Sequence, residues 1–200
     1  MRPNSATRPE YLAAFTELVQ RIAAPLRVLP KRSLPIKMYV AGGAAMHFYT
    51  GERMSNDVDA VFSRRIALPG DLEVTYRDPD GAARLLYFDR QYNDTFALMH
   101  QDAHDDSVPL TLKSLDASIL DVRLLSALDL AVSKISRFSS QDREDIAALA
   151  KHGLIKSAPL RRRSEQAMEN YVGNLGTLEG AINLACRIVS DAEKRNSNVP

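Results

Sequence analysis

The stretch 38–62, MYVAGGAAMHFYTGERMSNDVDAVF, concentrates the residues that could do chemistry. Two adjacent glycines, Gly42 and Gly43, are separated by thirteen residues from an Asp-Val-Asp triplet. On an extended chain, positions i and i+2 share a face. Asp57 and Asp59 are therefore expected side by side at the edge of a sheet. Two carboxylates that close repel unless a cation lies between them. A hard divalent ion with oxygen ligands, Mg2+ or Mn2+, suits such a pair. The glycines let backbone approach a phosphate, and a helix opening there offers free N–H groups and a positive dipole end. Glycines for a triphosphate and paired aspartates for a metal together describe the chemistry of nucleotidyl transfer.

Those residues need elements to position them. IKMYVA (36–41) reads as a buried strand running into the glycines, and 44–50 as a helix stopped by Gly51. DVDAVF (57–62) alternates as a strand does. LEVTY and RLLYF flank Asp78-Pro79-Asp80-Gly81, a hairpin signal. Upstream, Leu12, Phe15, Val19 and Ile22 give residues 9–28 a helical stripe ending near Pro25 and Pro30. Downstream, 93–114 reads as a long surface loop with little structure and 117–125 as a strand. Ser126 with Asp129, and Ser139 with Asp142, are capping-box patterns opening helices to about Phe138 and to just before Gly153. Two more helical patterns cover about 159–172 and 177–194. The expected fold is α+β: a small mixed sheet flanked by helices over residues 1–125, then a helical C-terminal region, 126–200, packed on it.

The pattern of Gly-Gly, a gap of roughly ten, and Asp-x-Asp resembles the polymerase-β-like nucleotidyltransferase superfamily in its minimal bacterial branch. With Arg53, Asn56-Asp57-Val58-Asp59, Lys134 and Asp142–Asp145, it is similar to toxin-type nucleotidyltransferases akin to the AbiEii toxins, over about residues 36–153. The resemblance implies that Gly42 and Gly43 hold the triphosphate and that Asp57 and Asp59 bind the metals. It implies a triphosphate contact for Lys134 and a place near the site for Asp142 or Asp145. Arg53 could neutralise charge developing on the phosphates. It further implies NTP as substrate, a tRNA 3′ end or a protein as acceptor, and a cognate antitoxin as partner. Position 43 is Gly where many members have Ser. The third carboxylate, commonly the general base, has three candidates: Asp89 first, then Asp121, then Glu73. A catalytically silent binding module of the same fold is the alternative, and a small-molecule nucleotidyltransferase with a deep pocket beside the aspartates is a third reading.

Composition sets the frame. The 200 residues carry 26 Lys+Arg against 25 Asp+Glu, so no global charge marks a polyanion binder. Yet residues 1–37 hold seven cations and two anions, whereas 71–106 hold nine anions and three cations. A basic N-terminal face for a nucleotide or RNA backbone is one reading of that polarity; complementary solvated faces are the other. The single cysteine, Cys186, excludes a disulfide framework and a cysteine-rich zinc site, and reads as a small buried apolar residue. No apolar run is long enough to span a bilayer, and the expected setting is cytoplasmic. His47 is expected to be structural. The 102–106 cluster is expected to be a solvated acidic loop, and Arg161-Arg162-Arg163 a solvated helix face, with RNA or protein contact as its alternative.

Overall fold

The computed structural model describes residues 7–95 and 97–197. The N-terminal lead-in MRPNSATRPE and the tail RNSNVP both read in sequence as frayed ends; residues 1–6 of the one and 198–200 of the other lie outside the described residues. The chain forms two compact units. One comprises the chain up to Asn93 with Ser107–Leu124; the other comprises Asp94–Asp106 with the chain from Leu125 onward.

The first unit is α+β. Helix α1 (Pro9–Ala23) buries Tyr11, Phe15, Leu18, Val19 and Ile22 on one face. It stops short of the expected Val28. Pro25 lacks an N–H, so residues Ala24–Val28 tighten into a 3-10 turn. Strand β1 (Ile36–Val40) then runs into α2 (Gly42–Thr50), which Gly51 ends in the left-handed conformation, φ 68°. The segment after Asn56 supplies β2 (Asp57–Val58) and β3 (Ala60–Phe62). The expected hairpin is β4 (Glu73–Arg77) with β5 (Ala83–Phe88), turned at Gly81 with φ 83°. Strands β6 (Val108–Pro109) and β7 (Leu120–Leu124) complete the unit.

Two sheets form where a single one was expected, ordered β3-β1-β7-β6 and β2-β5-β4. The reason lies at Asp59. Successive carbonyls of an extended chain point to opposite edges. The Val58 carbonyl accepts from Asp89 N–H at 3.1 Å, whereas the Asp59 carbonyl accepts from Ala41 N–H at 2.8 Å. One segment is therefore hydrogen-bonded to a different sheet on each side. In β1 and β7, parallel in register, Met38, Val40, Leu120, Val122 and Leu124 are buried. The 93–114 stretch is less bare than expected. It contributes β6 and buries Leu98, Ala103, Leu110 and Leu112.

The second unit is helical: α3 (Ala127–Ser133), α4 (Ser140–Lys151), α5 (Ser157–Met168) and α6 (Leu175–Ser197). Both expected serine caps are present, but only the one at α4 is a reciprocal capping box. Ser126 Oγ accepts from Asp129 N–H, and Ser139 and Asp142 satisfy each other's backbone N–H. Helix α3 ends at Ser133 rather than Phe138, because Lys134 and Ile135 turn their N–H groups to the i−3 carbonyls. Gly153, φ 69°, follows the end of α4 as expected. Cys186 is buried. No helix among the described residues is long and apolar enough to cross a membrane.

Candidate functional site

Gly42 opens α2 with φ 56°, a left-handed conformation that a side chain makes costly. Its backbone presses on Asp59. A Cβ at Gly42 would overlap Asp59 Oδ2 and lie 2.7 Å from Asp59 Cγ. Gly43 presses on the preceding loop. A Cβ there would overlap Ser55 Oγ and stand 3.3 Å from Arg53 Nε. Ser55, itself buried, donates its hydroxyl to Asp57 Oδ1. The Asp59 carboxylate thus abuts the glycine turn directly, and Asp57 is linked to it through Ser55. The Asp59 carboxylate against the amide end of a nine-residue helix, with Asp57 tied to the neighbouring Ser55, would suit a hard divalent ion beside an anion. Gly42→Ala should strain the left-handed backbone by about 1–2 kcal/mol and push Asp59 aside. Thermal denaturation and nucleotide binding should both fall; an unchanged nucleotide affinity would show that the contact is incidental.

Ser55 is the residue that sequence reasoning missed. Ser55 lies two positions before Asp57, on an extended segment where such residues share a face; that spacing was the available signal. His47, fully buried on α2, is structural as expected. Arg8 N–H donates to its Nε2 at 3.3 Å, so Nδ1 carries the proton given to the Arg53 carbonyl at 2.6 Å. Burial pushes the imidazole's pKa below its ordinary value, with the Arg53 carbonyl acting the other way. The Tyr11 ring lies 4.3 Å from His47, centroid to centroid. Burial, with Tyr76, Asp57 and Asp59 nearby, raises the Tyr11 hydroxyl's pKa far above its usual range.

Strand register separates the third-carboxylate candidates. Asp57 pairs with Tyr87 and Val58 with Phe88 in parallel, and the Asp89 N–H bonds the Val58 carbonyl, so Asp89 follows directly after the paired residues. Asp89 Oδ1 accepts from Gln91 N–H at 2.8 Å. Asp121 pairs with Lys37, at the end of β1 remote from Gly42, and lies 3.2 Å from Arg123. Glu73 pairs with Tyr87 from the far side of β5, a full strand removed from Asp57. Among the described residues, no group of three His, Cys, Asp or Glu side chains could hold a metal ion.

A family model described as nucleotidyltransferase of unknown function (DUF6036) matches residues 17–175. The chain belongs to this nucleotidyltransferase family. No curated protein and no solved structure matches it significantly. The family match takes in most of both units, including the helical cluster that the resemblance singled out.

In this nucleotidyltransferase, Lys134 is buried, with Nζ 2.6 Å from Asp145 Oδ2 and 3.9 Å from Asp142 Oδ1. Asp142 is the cap of α4 and also takes a two-pronged bond from Arg137, at 2.8 Å on each oxygen. Lys134, Asp142 and Asp145 are therefore brought together within the helical unit. Burial raises the Asp142 carboxyl's pKa, but Arg137 and the Ser139 hydroxyl and amide outweigh it and hold the group at about 2. Its folded pKa lies below the ordinary 3.8, so its stabilisation is complete above about pH 4 and is lost as pH falls through 2. The advantage of the wild type over Asp142→Asn in urea denaturation should shrink by about 2 kcal/mol between pH 5 and pH 2.

Two expectations here need correction. Arg163 does not join a solvated face: it bonds Asp129 at 2.7 Å and Asp106 at 2.6 Å. Nor is 102–106 merely a solvated acidic loop, because Asp106 is pinned by Arg163 and His104 lies 3.0 Å from Asp94. Buried Asp129 needs a cation, and Arg163 supplies it.

Proposed function

We propose that the protein transfers a nucleoside monophosphate from an NTP to a hydroxyl of an RNA 3′ end, such as that of a tRNA, or of a protein. In this reading it serves as the toxin of a toxin–antitoxin pair. The observation that carries the reading is the contact between the Gly42 backbone and the Asp59 carboxylate, where a phosphate at the helix end would meet an ion held by the acid.

Asp57 and Asp59 would hold the divalent ion, with Ser55 fixing the orientation of Asp57. When bound, that ion polarises the α-phosphate and stabilises the leaving pyrophosphate. The amides of Gly42 and Gly43 would bind the triphosphate, with the Arg53 guanidinium, close by Gly43, offsetting its charge. Asp89, whose N–H bonds the Val58 carbonyl between the two aspartates, would take the proton of the acceptor hydroxyl. The hydroxyl oxygen forms a bond to the α-phosphorus as the bond to the bridging oxygen breaks, and pyrophosphate departs with the electron pair.

A second reading, a catalytically silent nucleotide-binding module, is favoured by the engagement of Asp89 Oδ1 in its own turn. Incubation with each labelled NTP and Mg2+, together with total tRNA or cell lysate, tells them apart. Label should pass to RNA or protein with one NTP. Binding without transfer selects the silent module, and label transfer surviving Asp57→Ala refutes the assignment of the site.

A further inference from the structure

We propose that the cleft running from Asp89 past the end of β3 is the acceptor site, and that it grips a single-stranded nucleic acid by its phosphates. This rests on the nucleotidyl-transfer reading above and names the class of its second substrate.

The cleft measures about 240 Å3, and its walls include Phe62, Arg64, Arg65, Asp89, Arg90 and Tyr92. Ala60, the residue after Asp59, also lines it. None of the residues around the glycine turn (Gly42, Gly43, Arg53, Ser55) does. The acids are thus flanked by two separate binding regions, as a two-substrate transfer requires. The region that contains the proposed base is the one where an acceptor hydroxyl must arrive.

The wall chemistry identifies the acceptor. It presents three guanidiniums and one carboxylate. Arg64 and Arg65 are exposed, and neither has an ion pair or hydrogen bond to any described residue. Arg90 is committed instead to the carbonyls of Pro69 and Gly70, which ties the far end of the 64–70 segment to the end of β5. At the near end, Ser63 is locked to Lys37 by two hydrogen bonds, at 2.9 and 3.0 Å. The unpaired arginines are therefore displayed from a segment held at both ends. Guanidiniums bind phosphate oxygens in pairs of parallel bonds. Phe62 and Phe88, 5.8 Å apart and tilted by 33°, put aromatic surface behind them. Cations that track a backbone beside aromatic rings are what a single strand requires. A neutral serine or tyrosine side chain of a protein acceptor would leave both guanidiniums without a partner.

The test is fluorescence anisotropy with a labelled oligoribonucleotide of roughly ten nucleotides, in the absence of NTP and divalent ions. Arg64→Ala/Arg65→Ala should weaken binding at least tenfold and lower the salt slope by about 1.4, two single-strand phosphates' worth. Arg64→Lys/Arg65→Lys should retain most of the affinity. Arg27→Ala/Arg32→Ala, which removes two exposed cations elsewhere in the same unit, should change it less than twofold. NTP-dependent thermal stabilisation should survive the Arg64/Arg65 change, which also verifies folding. Equal binding by the wild type and the Arg64/Arg65 variant would overturn the proposal, as would an equal loss in the Arg27/Arg32 variant, or wild-type binding to a hydroxyl-bearing peptide and not to RNA. Oligonucleotide binding that depends on Arg64 and Arg65 without any NTP stabilisation would keep the cleft and sink the transfer reading.

Discussion

Asp57→Asn and Asp59→Asn should each lower nucleotidyl transfer on the order of 10^2–10^3-fold, with little loss of fold stability. The amide is nearly isosteric with the carboxylate, so the Ser55 hydroxyl keeps an acceptor at position 57 and the Gly42 backbone keeps its neighbour at position 59. What goes is the negative charge that a divalent ion requires. Interactions aimed at charge developing in a transition state are typically worth about 3–4 kcal/mol each. The double variant should be little worse than either single one, because two ligands of one ion act as a unit. Steady-state transfer of labelled NMP measures this, with urea denaturation as the control for folding. Ser55→Ala should have a smaller effect of the same kind, since it frees Asp57 without removing it.

Lys134→Ala should destabilise the helical unit by about 3–5 kcal/mol, the usual cost of leaving one partner of a buried ion pair unpaired. Asp145 is the residue exposed to that loss. It is buried, Lys134 Nζ is 2.6 Å from its Oδ2, and Gln141 donates to its Oδ1 at 3.3 Å. Asp142 suffers less, because Arg137 and Ser139 remain. Lys134→Met/Asp145→Leu should recover most of the stability, since apolar side chains of similar volume often replace a buried pair without penalty. Denaturation of the four members of this cycle tests the coupling. A cost below about 1 kcal/mol for Lys134→Ala would place the pair in the range of solvated salt bridges.

How far the sequence could be read follows from the range of the interactions involved. The serine caps at Ser126 and Ser139, the Asp78–Gly81 turn and Gly153 were legible because each is satisfied by residues a few positions away. The approach of Gly42 to Asp59 was legible for another reason: Gly42 has room only for a hydrogen where Asp59 stands, and glycine is the residue there. The split into two sheets was not legible. DVDAVF alternates identically whether its carbonyls meet one sheet or two, and only the partners Ala41 and Asp89 distinguish the cases. Asp89, Asp121 and Glu73 were indistinguishable for the same reason, since each is an acid in or beside an apolar strand and only strand pairing brings one of them, Asp89, next to the Asp57–Asp59 segment. Lys134 gave no sign of burial because its partner Asp145 lies eleven positions away on another helix. The Arg161–Arg163 triplet looked solvated because the acids that bind Arg163 lie 34 and 57 positions away.

The acids and the glycine turn are held to be one functional unit, and thermal stability measured with and without nucleotide examines that unit most directly. The wild type should gain melting temperature from an NTP only when Mg2+ or Mn2+ is present, and Asp57→Asn should lose that gain while melting normally on its own. Stabilisation by NTP that needs no divalent ion, or that persists undiminished in Asp57→Asn, would contradict it.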